Sequence, residues 1–420
     1  MTGTDEVTAY RRKSGIRQYF KSLEVVDYRL IVSILFLMMF GLIMVYSATN
    51  ATAGSSTMIK QAAIGLIGLL MMIVVSYIDY HLLAKMAGVL YLLSILSLFL
   101  VRVPGIGVLR NGAYRWVELG PVQFQPSELV KPAIVILMAY LLTQVGRKLT
   151  YFRADVFIML PGLIAVVLIL AVTRNLSTAL IVLGIMVLMF FVAHPNKKIW
   201  GMVIIGLLLL LVLWLMYYHL YISPQIAAAR SSGGAQLSSF RAGRILAWLC
   251  PDLFSELSMQ SRYSLYAIGF GGVLGRGLGH GTMKYYIPEC DNDFIFAVIG
   301  EELGLVGCAM VIFLFIYQIW RIMVVAQHAK DYLGGYIAFG IGAHVALQAI
   351  MNIGVATSVF PNTGISLPYI SSGGTALLLQ LIEMGIVLNV SKQIPGKKVL
   401  VEGGSSVDTA SGGRRRRRSA

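Results

Sequence analysis

Apolar runs long enough to cross a bilayer recur along this chain, and each crossing needs about 20 residues of helix. Ten such runs stand out in the 420 residues, near 28–47, 60–78, 87–102, 129–145, 157–173, 176–194, 200–219, 294–320, 333–356 and 375–391. The stretch 157–194 is far too long for one crossing at about 1.5 Å per residue, so it is read as two helices joined at Arg174-Asn175. The predicted fold is all-α: a polytopic membrane protein with about ten transmembrane helices and a long extracytoplasmic loop before helix 8. Composition agrees, since 57% of the residues are hydrophobic and only 13% charged, where soluble domains carry about 25% charged residues.

The net charge of +15 would suggest nucleic acid in a soluble protein. No groove-reading motif is present, so nucleic acid is excluded as a partner. The basic residues instead report topology. With the N-terminus inside, about 22 of the 34 lysines and arginines fall in the tails and in alternate short loops, through residues such as Lys85, Arg147, Lys197 and Lys330. Both termini are therefore expected on the cytoplasmic side. Three regions follow: a basic tail, 1–27, without a signal-peptide cleavage pattern; a transmembrane domain, 28–392; and a Gly- and Ser-rich tail, 393–420, ending near five arginines and predicted to be disordered.

None of Cys250, Cys290 and Cys308 has metal-type spacing. Cys308 falls in a span. Cys250 and Cys290 share one long loop and are compatible with a disulfide or with two free thiols. That loop, about 220–293, and another at about 102–127 both lie on the outer face in this topology. Long loops on a compact scaffold tend to carry function, so any chemistry is expected on that face.

The shorter of these loops reads Asn111-Gly112, a turn signal, then Arg115-Trp116, then Gln125-Pro126-Ser127-Glu128 ahead of an apolar run, a helix start. Glu128 and Lys131 are three residues apart and share a helix face. Ionisable groups at membrane depth are costly and either pair or line a wet cavity; both readings stay open for this pair. Trp116 alone could be an interfacial anchor. The longer loop holds a run dense in glycine from Gly269 to Gly279, which carries Arg276 and permits close backbone approach without the GxxxxGK[ST] pattern of a P-loop. It closes on Pro288-Glu289-Cys290-Asp291-Asn292-Asp293. Asp293 stands at the mouth of the eighth span, where it could also cap the helix. Glu301 lies about 12 Å deeper at 1.5 Å per residue, and needs a cation, a donor or a water-filled cavity. On the ninth span, His344, Gln348 and Asn352 recur every four residues as a polar stripe, suited to interhelical hydrogen bonding or to lining a cavity. An irregular run follows, Gly364-Ile365-Ser366-Leu367-Pro368-Tyr369-Ile370-Ser371. Glu383 in the last span has no evident partner.

Together these segments resemble the SEDS family of bacterial cell-wall proteins, typified by RodA, FtsW and SpoVE. The resemblance covers about 27–392 and rests on six motifs in order. They are Gly41-Leu42-Ile43-Met44-Val45-Tyr46-Ser47-Ala48, the Asn-Gly…Arg-Trp…Gln-Pro-Ser-Glu…Lys run, the Gly-rich loop, the Pro-Glu…Asp-Phe-Ile-Phe-Ala-Val-Ile-Gly-Glu-Glu-Leu-Gly run, Asn352-Ile353-Gly354, and the Gly-Ile-Ser-Leu-Pro-Tyr-Ile-Ser run. Ser264-Leu265-Tyr266-Ala267 looks closer to the division and sporulation branch than to the elongation branch.

The resemblance implies a multi-pass peptidoglycan glycosyltransferase of the bacterial cytoplasmic membrane. Such an enzyme polymerises lipid II, an undecaprenyl-diphosphate-linked substrate, at the outer face, with a class B penicillin-binding transpeptidase and the division or sporulation machinery as partners. Asp293 matches the family's essential loop aspartate, Glu301 its acid in the following span, and Trp116, Glu128 and Lys131 residues around its central cavity. Gln348, Asn352 and Ser371 join them as candidate substrate contacts. Three positions depart from the family pattern: Asn175 replaces an acid, Asn292 a threonine, and Ser372 an aromatic residue.

A β-1,4 product from an α-linked diphosphate requires inversion, for which one base suffices. Asp293 is the candidate catalytic base. Lys131 and Arg115, and less directly Arg276, are the cations expected to stabilise the departing diphosphate. No dedicated metal cage is visible; a divalent cation (Mg2+ or Mn2+) could share that work. The rival readings are a lipid II flippase, which would move lipid without making polymer, and a catalytically weak scaffold, whose role would survive loss of the Asp293 carboxylate.

Overall fold

The computed structural model describes residues 27–49, 55–110, 113–120, 122–146, 149, 152–195, 198–224, 226, 245, 247–252 and 255–394. Apart from their innermost residues, the tails predicted at 1–27 and 393–420 lie outside this set, as does the Asn111-Gly112 turn. Twelve helices are described: α1 (Tyr28–Thr49), α2 (Ser56–Val75), α3 (Tyr80–Lys85), α4 (Ala87–Leu98), α5 (Pro126–Val145), α6 (Phe152–Leu168), α7 (Leu176–Ala193), α8 (Lys198–Tyr217), α9 (Ser255–Gly271), α10 (Ile295–Gln327), α11 (Tyr332–Ala356) and α12 (Gly374–Lys392). Each of the ten expected spans falls on one of these helices. Among the described residues, eight helical segments are long and apolar enough to cross a membrane by themselves; α4 with its 3-10 extension, Ala87–Arg102, is a shorter apolar one. The chain is a multi-pass membrane protein.

Local chemistry sets the helix boundaries. Pro126 opens α5, where its missing N–H costs nothing. The long apolar stretch is two helices, as expected. A π-helical turn, Ile169–Thr173, follows α6 and ends at Arg174 in the left-handed region (φ 53°). Asn175 then caps α7 by accepting the Thr178 N–H at 3.2 Å. The amide that replaces the family's acid there is thus a helix cap. At the other end of the bundle Asp79 caps α3, and His81 bridges Asp79 and Asp331 at 2.7 Å on each side.

Helices α11 and α12 form the centre, each about 67% buried over its most apolar stretch, while α2 is only 28% buried. Two features extend the all-α expectation. A three-stranded antiparallel sheet fills the shorter loop: β1 (Gly107–Arg110), β2 (Ala113–Leu119) and β3 (Val122–Phe124). Its register places Val108 opposite Trp116 and Val117 opposite Phe124, and it packs on α5 and α12. The longer loop is not irregular throughout, because its glycine-containing run begins inside α9.

Helix α10 is broken at Gly304 (φ 65°, ψ −161°), a conformation open to little but glycine. The break strands backbone groups that must find partners inside protein. The turn after α9 supplies them. Arg276 and Gly277 donate their N–H groups to the Glu301 and Glu302 carbonyls at 3.0 and 2.9 Å; Leu305 and Val306 donate to the Gly272 and Val273 carbonyls at 2.9 and 3.2 Å. A Cβ on Gly304 would stand 2.4 Å from the Gly275 nitrogen, so the dense glycines permit this backbone mating. Gly304→Ala is expected to cost about 1–3 kcal/mol from backbone strain alone and to lower the melting temperature in detergent. Gly88→Ala, where an added Cβ meets no neighbour within 4 Å, should leave it unchanged. Equal melting of both variants would contradict the mated break.

Candidate active site

The segment before α10 and the segment before α12 meet at the sheet end of the bundle, and side chains of α11 hold them together. Asn352 donates from Nδ2 to the carbonyls of Asp293 (2.9 Å) and Ile365 (2.7 Å). Ser371 donates from Oγ to the Asn292 carbonyl at 2.6 Å and accepts the Leu367 N–H at 2.7 Å. The Ser372 N–H reaches the Asp291 carbonyl at 2.9 Å, a backbone bond that does not require the family's aromatic side chain at this position. Gln61 from α2 braces the same run, donating to the Ser371 carbonyl at 2.7 Å and accepting the Gly373 N–H at 3.3 Å. The Asp293 backbone is thereby fixed in place. Four non-glycine residues take left-handed φ values, Arg174, Glu289, Ser358 and Tyr369. All lie in the connections at this end, each with strain of about 1–3 kcal/mol, and Tyr369 belongs to the clamped run itself.

A small cleft of about 50 Å³ opens beside the clamp. Trp116, Glu128, Lys131, Gln348, Gly364 and Ser366 are among its lining residues. Lys131 is 2% exposed and is paired with Glu128 at 2.7 Å. It also donates to Gln348 Oε1 at 3.0 Å. An ammonium has three donors, so beyond these described partners one remains for a ligand in the cleft. The two readings of the Glu128–Lys131 pair are thus both realised: it is an ion pair, and it lines a cavity.

Gly364 marks the rim (φ 71°). The point where its Cβ would stand is 3.2 Å from Asp293 Oδ2 and 4.0 Å from Arg115 Nη1. The candidate base and one candidate cation therefore meet beside Gly364 at the rim, although neither is among the residues that line the cleft itself. Arg115 is itself held by the Arg174 carbonyl at 3.3 Å.

Glu301 and Arg276 sit elsewhere. Glu301 is fully buried and accepts the N–H groups of Thr282 (2.7 Å) and Met283 (3.1 Å). Arg276 lies 3.7 Å from it, bonds Thr282 Oγ1 at 2.9 Å and covers the Phe270 ring. Both tie the glycine turn to α10 and are absent from the cleft lining. Sequence reading missed the neighbouring buried pair Lys284–Glu302, 2.8 Å apart, whose carboxylate also accepts from Ser47; the second acid of Glu301-Glu302 was the available signal. The stripe on α11 divides three ways: Gln348 lines the cleft, Asn352 clamps backbone, and His344 pairs with Glu383.

All three cysteines are free. Burial, reinforced by the charge of Asp291, pushes the Cys290 thiol up to about 12, which leaves it unreactive. Among the described residues no three His, Cys, Asp or Glu side chains converge as a metal cage, and Glu128 is engaged by Lys131. A divalent ion at the cleft would draw most of its ligands from substrate oxygens and solvent.

Residues 28–395 match the FtsW/RodA/SpoVE family of cell cycle proteins. The chain belongs to this family. Among its relatives, "Probable peptidoglycan glycosyltransferase FtsW" of Geobacter sulfurreducens is 34% identical over 90% of this chain and 98% of its own length. Stage V sporulation protein E of Bacillus subtilis is 34% identical over 87% of this chain and 97% of its own. A solved chain from a peptidoglycan synthase complex that coordinates polymerization and crosslinking superposes with a TM-score of 0.70 at 26% identity, covering 88% of this chain and 99% of that one. The crystal structure of Thermus thermophilus RodA shares the fold, with a TM-score of 0.61 at 24% identity. Within this FtsW/RodA/SpoVE fold, Asn352 is the bracket between the two connections. Asn352→Leu takes the Asn352 donor from the buried Ile365 carbonyl, at about 1–3 kcal/mol, and from the half-buried Asp293 carbonyl at less. Faster amide exchange in residues 361–373 is the expected result, and unchanged exchange there would rule the bracket out.

Proposed function

We propose that this chain polymerises lipid II into β-1,4 glycan strands at the outer face of the bacterial cytoplasmic membrane, during division or sporulation. In this reading both termini are cytoplasmic and a class B penicillin-binding transpeptidase is the partner. The broader activity, peptidoglycan glycosyltransferase, follows from family membership and from relatives of that name that match about nine-tenths of the chain. What supports the finer reading is the convergence of Asp293 and Arg115 on one point of a cleft whose wall carries Lys131.

In this mechanism the Asp293 carboxylate takes the proton from the acceptor sugar's 4-hydroxyl. The oxygen so activated forms a bond to the donor's anomeric carbon from the face opposite the leaving group. The bond from that carbon to the diphosphate oxygen breaks, and its electron pair leaves with the diphosphate. Lys131, buried in the cleft wall, and Arg115, half-buried at its rim, stabilise that charge, and the contact to the buried lysine counts for more than in water. Trp116 and Gln348 shape the cleft around the sugars. A divalent cation, were one to bind beside the cleft, would supply further charge neutralisation to the departing diphosphate.

The test is polymerisation of lipid II by the purified chain with its transpeptidase partner, whose own active site is blocked. Asp293→Asn keeps the size of the side chain and is expected to lower kcat by about 10²–10⁴-fold, with KM little changed. Wild-type turnover by Asp293→Asn would remove Asp293 as the base. Absence of polymer from a folded, partner-bound wild type would remove the polymerase reading.

A further inference from the structure

Behind the cleft lies a buried pair that the mechanism above does not use. His344 is 2% exposed and Glu383 is fully buried. They come from α11 and α12, and neither lines the cleft. His344 Nδ1 stands 2.8 and 3.1 Å from the two Glu383 oxygens. Its Nε2 stands 2.9 Å from Gln348 Oε1, the same oxygen that accepts from Lys131 at 3.0 Å. The Gln348 amide nitrogen is spent on the Ser366 carbonyl at 3.1 Å. Glu128, Lys131, Gln348, His344 and Glu383 thus form one continuous chain of bonds across three helices.

We infer that His344 and Glu383 are a positioning pair that sets the Lys131 ammonium against a diphosphate in the cleft. The inference rests on the reading of Lys131 as a diphosphate contact. Hydrogen-bond polarity carries it. An amide oxygen has no proton to give, so Nε2 must carry the hydrogen it shares with Gln348. Nδ1 then shares one proton with Glu383, as an imidazolium beside a carboxylate or an imidazole beside a carboxylic acid. In both forms Glu383 fixes which imidazole nitrogen faces Gln348. His344 in turn fixes which end of the Gln348 carboxamide faces Lys131. With the carboxamide reversed, its NH2 would confront the ammonium and drive it from its seat. Packing alone gives no reason for the pair, since apolar residues of similar volume often do as well or better than a buried ion pair.

The experiment measures binding of labelled undecaprenyl diphosphate to the full chain in lipid nanodiscs, with melting recorded for every variant. His344→Leu and Glu383→Leu are expected to raise Kd about tenfold, the effect of losing one charge-assisted contact. Glu383→Gln can still donate to Nδ1 and should stay within about twofold of wild type. On a Lys131→Met background, which itself binds weakly, adding His344→Leu should change nothing further, because the pair acts through Lys131. A His344→Leu variant that melts early yet binds as wild type would reduce the pair to helix–helix glue and overturn the inference. So would a double variant weaker than Lys131→Met by the same tenfold. Should His344→Leu fail to fold, Glu383→Leu against Glu383→Gln decides, and equal Kd values for those two would overturn it. Wild-type binding by Lys131→Met would overturn both the lysine contact and the pair, while polymerisation by wild type would keep the enzymatic reading separate.

Discussion

Water does not reach the middle of a bilayer to satisfy a loose N–H or C=O, so every departure from helix must be matched within the protein. Two such departures flank Asp293, and partners from the facing segments meet each of them. The break at Gly304 in α10 mates with the glycine turn after α9. The irregular run before α12 is held by Asn352, Gln348, Ser371 and Gln61. Asp293 sits between these two constructions, tied by its own carbonyl to Asn352. The site can be rigid although it is built on loops, because each loop is a partner for the other's backbone.

The charges follow the same economy. Lys131 is held by Glu128 and by Gln348, Lys284 by Glu302, Arg321 by Asp27, and Glu301 by backbone N–H groups. Such pairs avoid the cost of an isolated buried charge. They also divide labour. Glu301, Glu302, Lys284 and Arg276 bind α10, the glycine turn and the end of α1 into a frame. Lys131 lines the cleft, and Arg115 and Asp293 meet beside Gly364 at its rim. Two neighbouring acids, Asp293 and Glu301, thus have different duties because one ends at a rim and the other is enclosed by donors.

Much of this was legible in the sequence because lipid imposes length. Ten apolar runs had to be helices, and the joint at Arg174-Asn175 was readable from span length alone. Residues three or four apart on a helix were also readable, which is why Glu128 with Lys131 and the His344, Gln348, Asn352 stripe were found. What escaped was pairing between elements. No spacing links His344 to Glu383, 39 residues away on another helix, or Lys284 to Ser47, 237 residues away. The sheet at 107–124 was hidden because its strands are short and only part of each alternates. The helical half of the glycine-containing run was hidden because Gly269 and Gly271 argue for a turn, while α9 tolerates them at its end. Glu301 and Arg276 read as site residues by motif, and only their partners reveal a framing role.

The central claim is that one cleft brings a carboxylate and two cations to the same diphosphate-linked sugar. The most direct measurement is a cryo-electron microscopy map of the Asp293→Asn chain in nanodiscs with lipid II bound. The account predicts diphosphate density between Lys131 and Arg115, with the residue at 293 facing sugar at the Gly364 rim. Diphosphate density away from this cleft, for example beside Arg276 and Glu301, would contradict it.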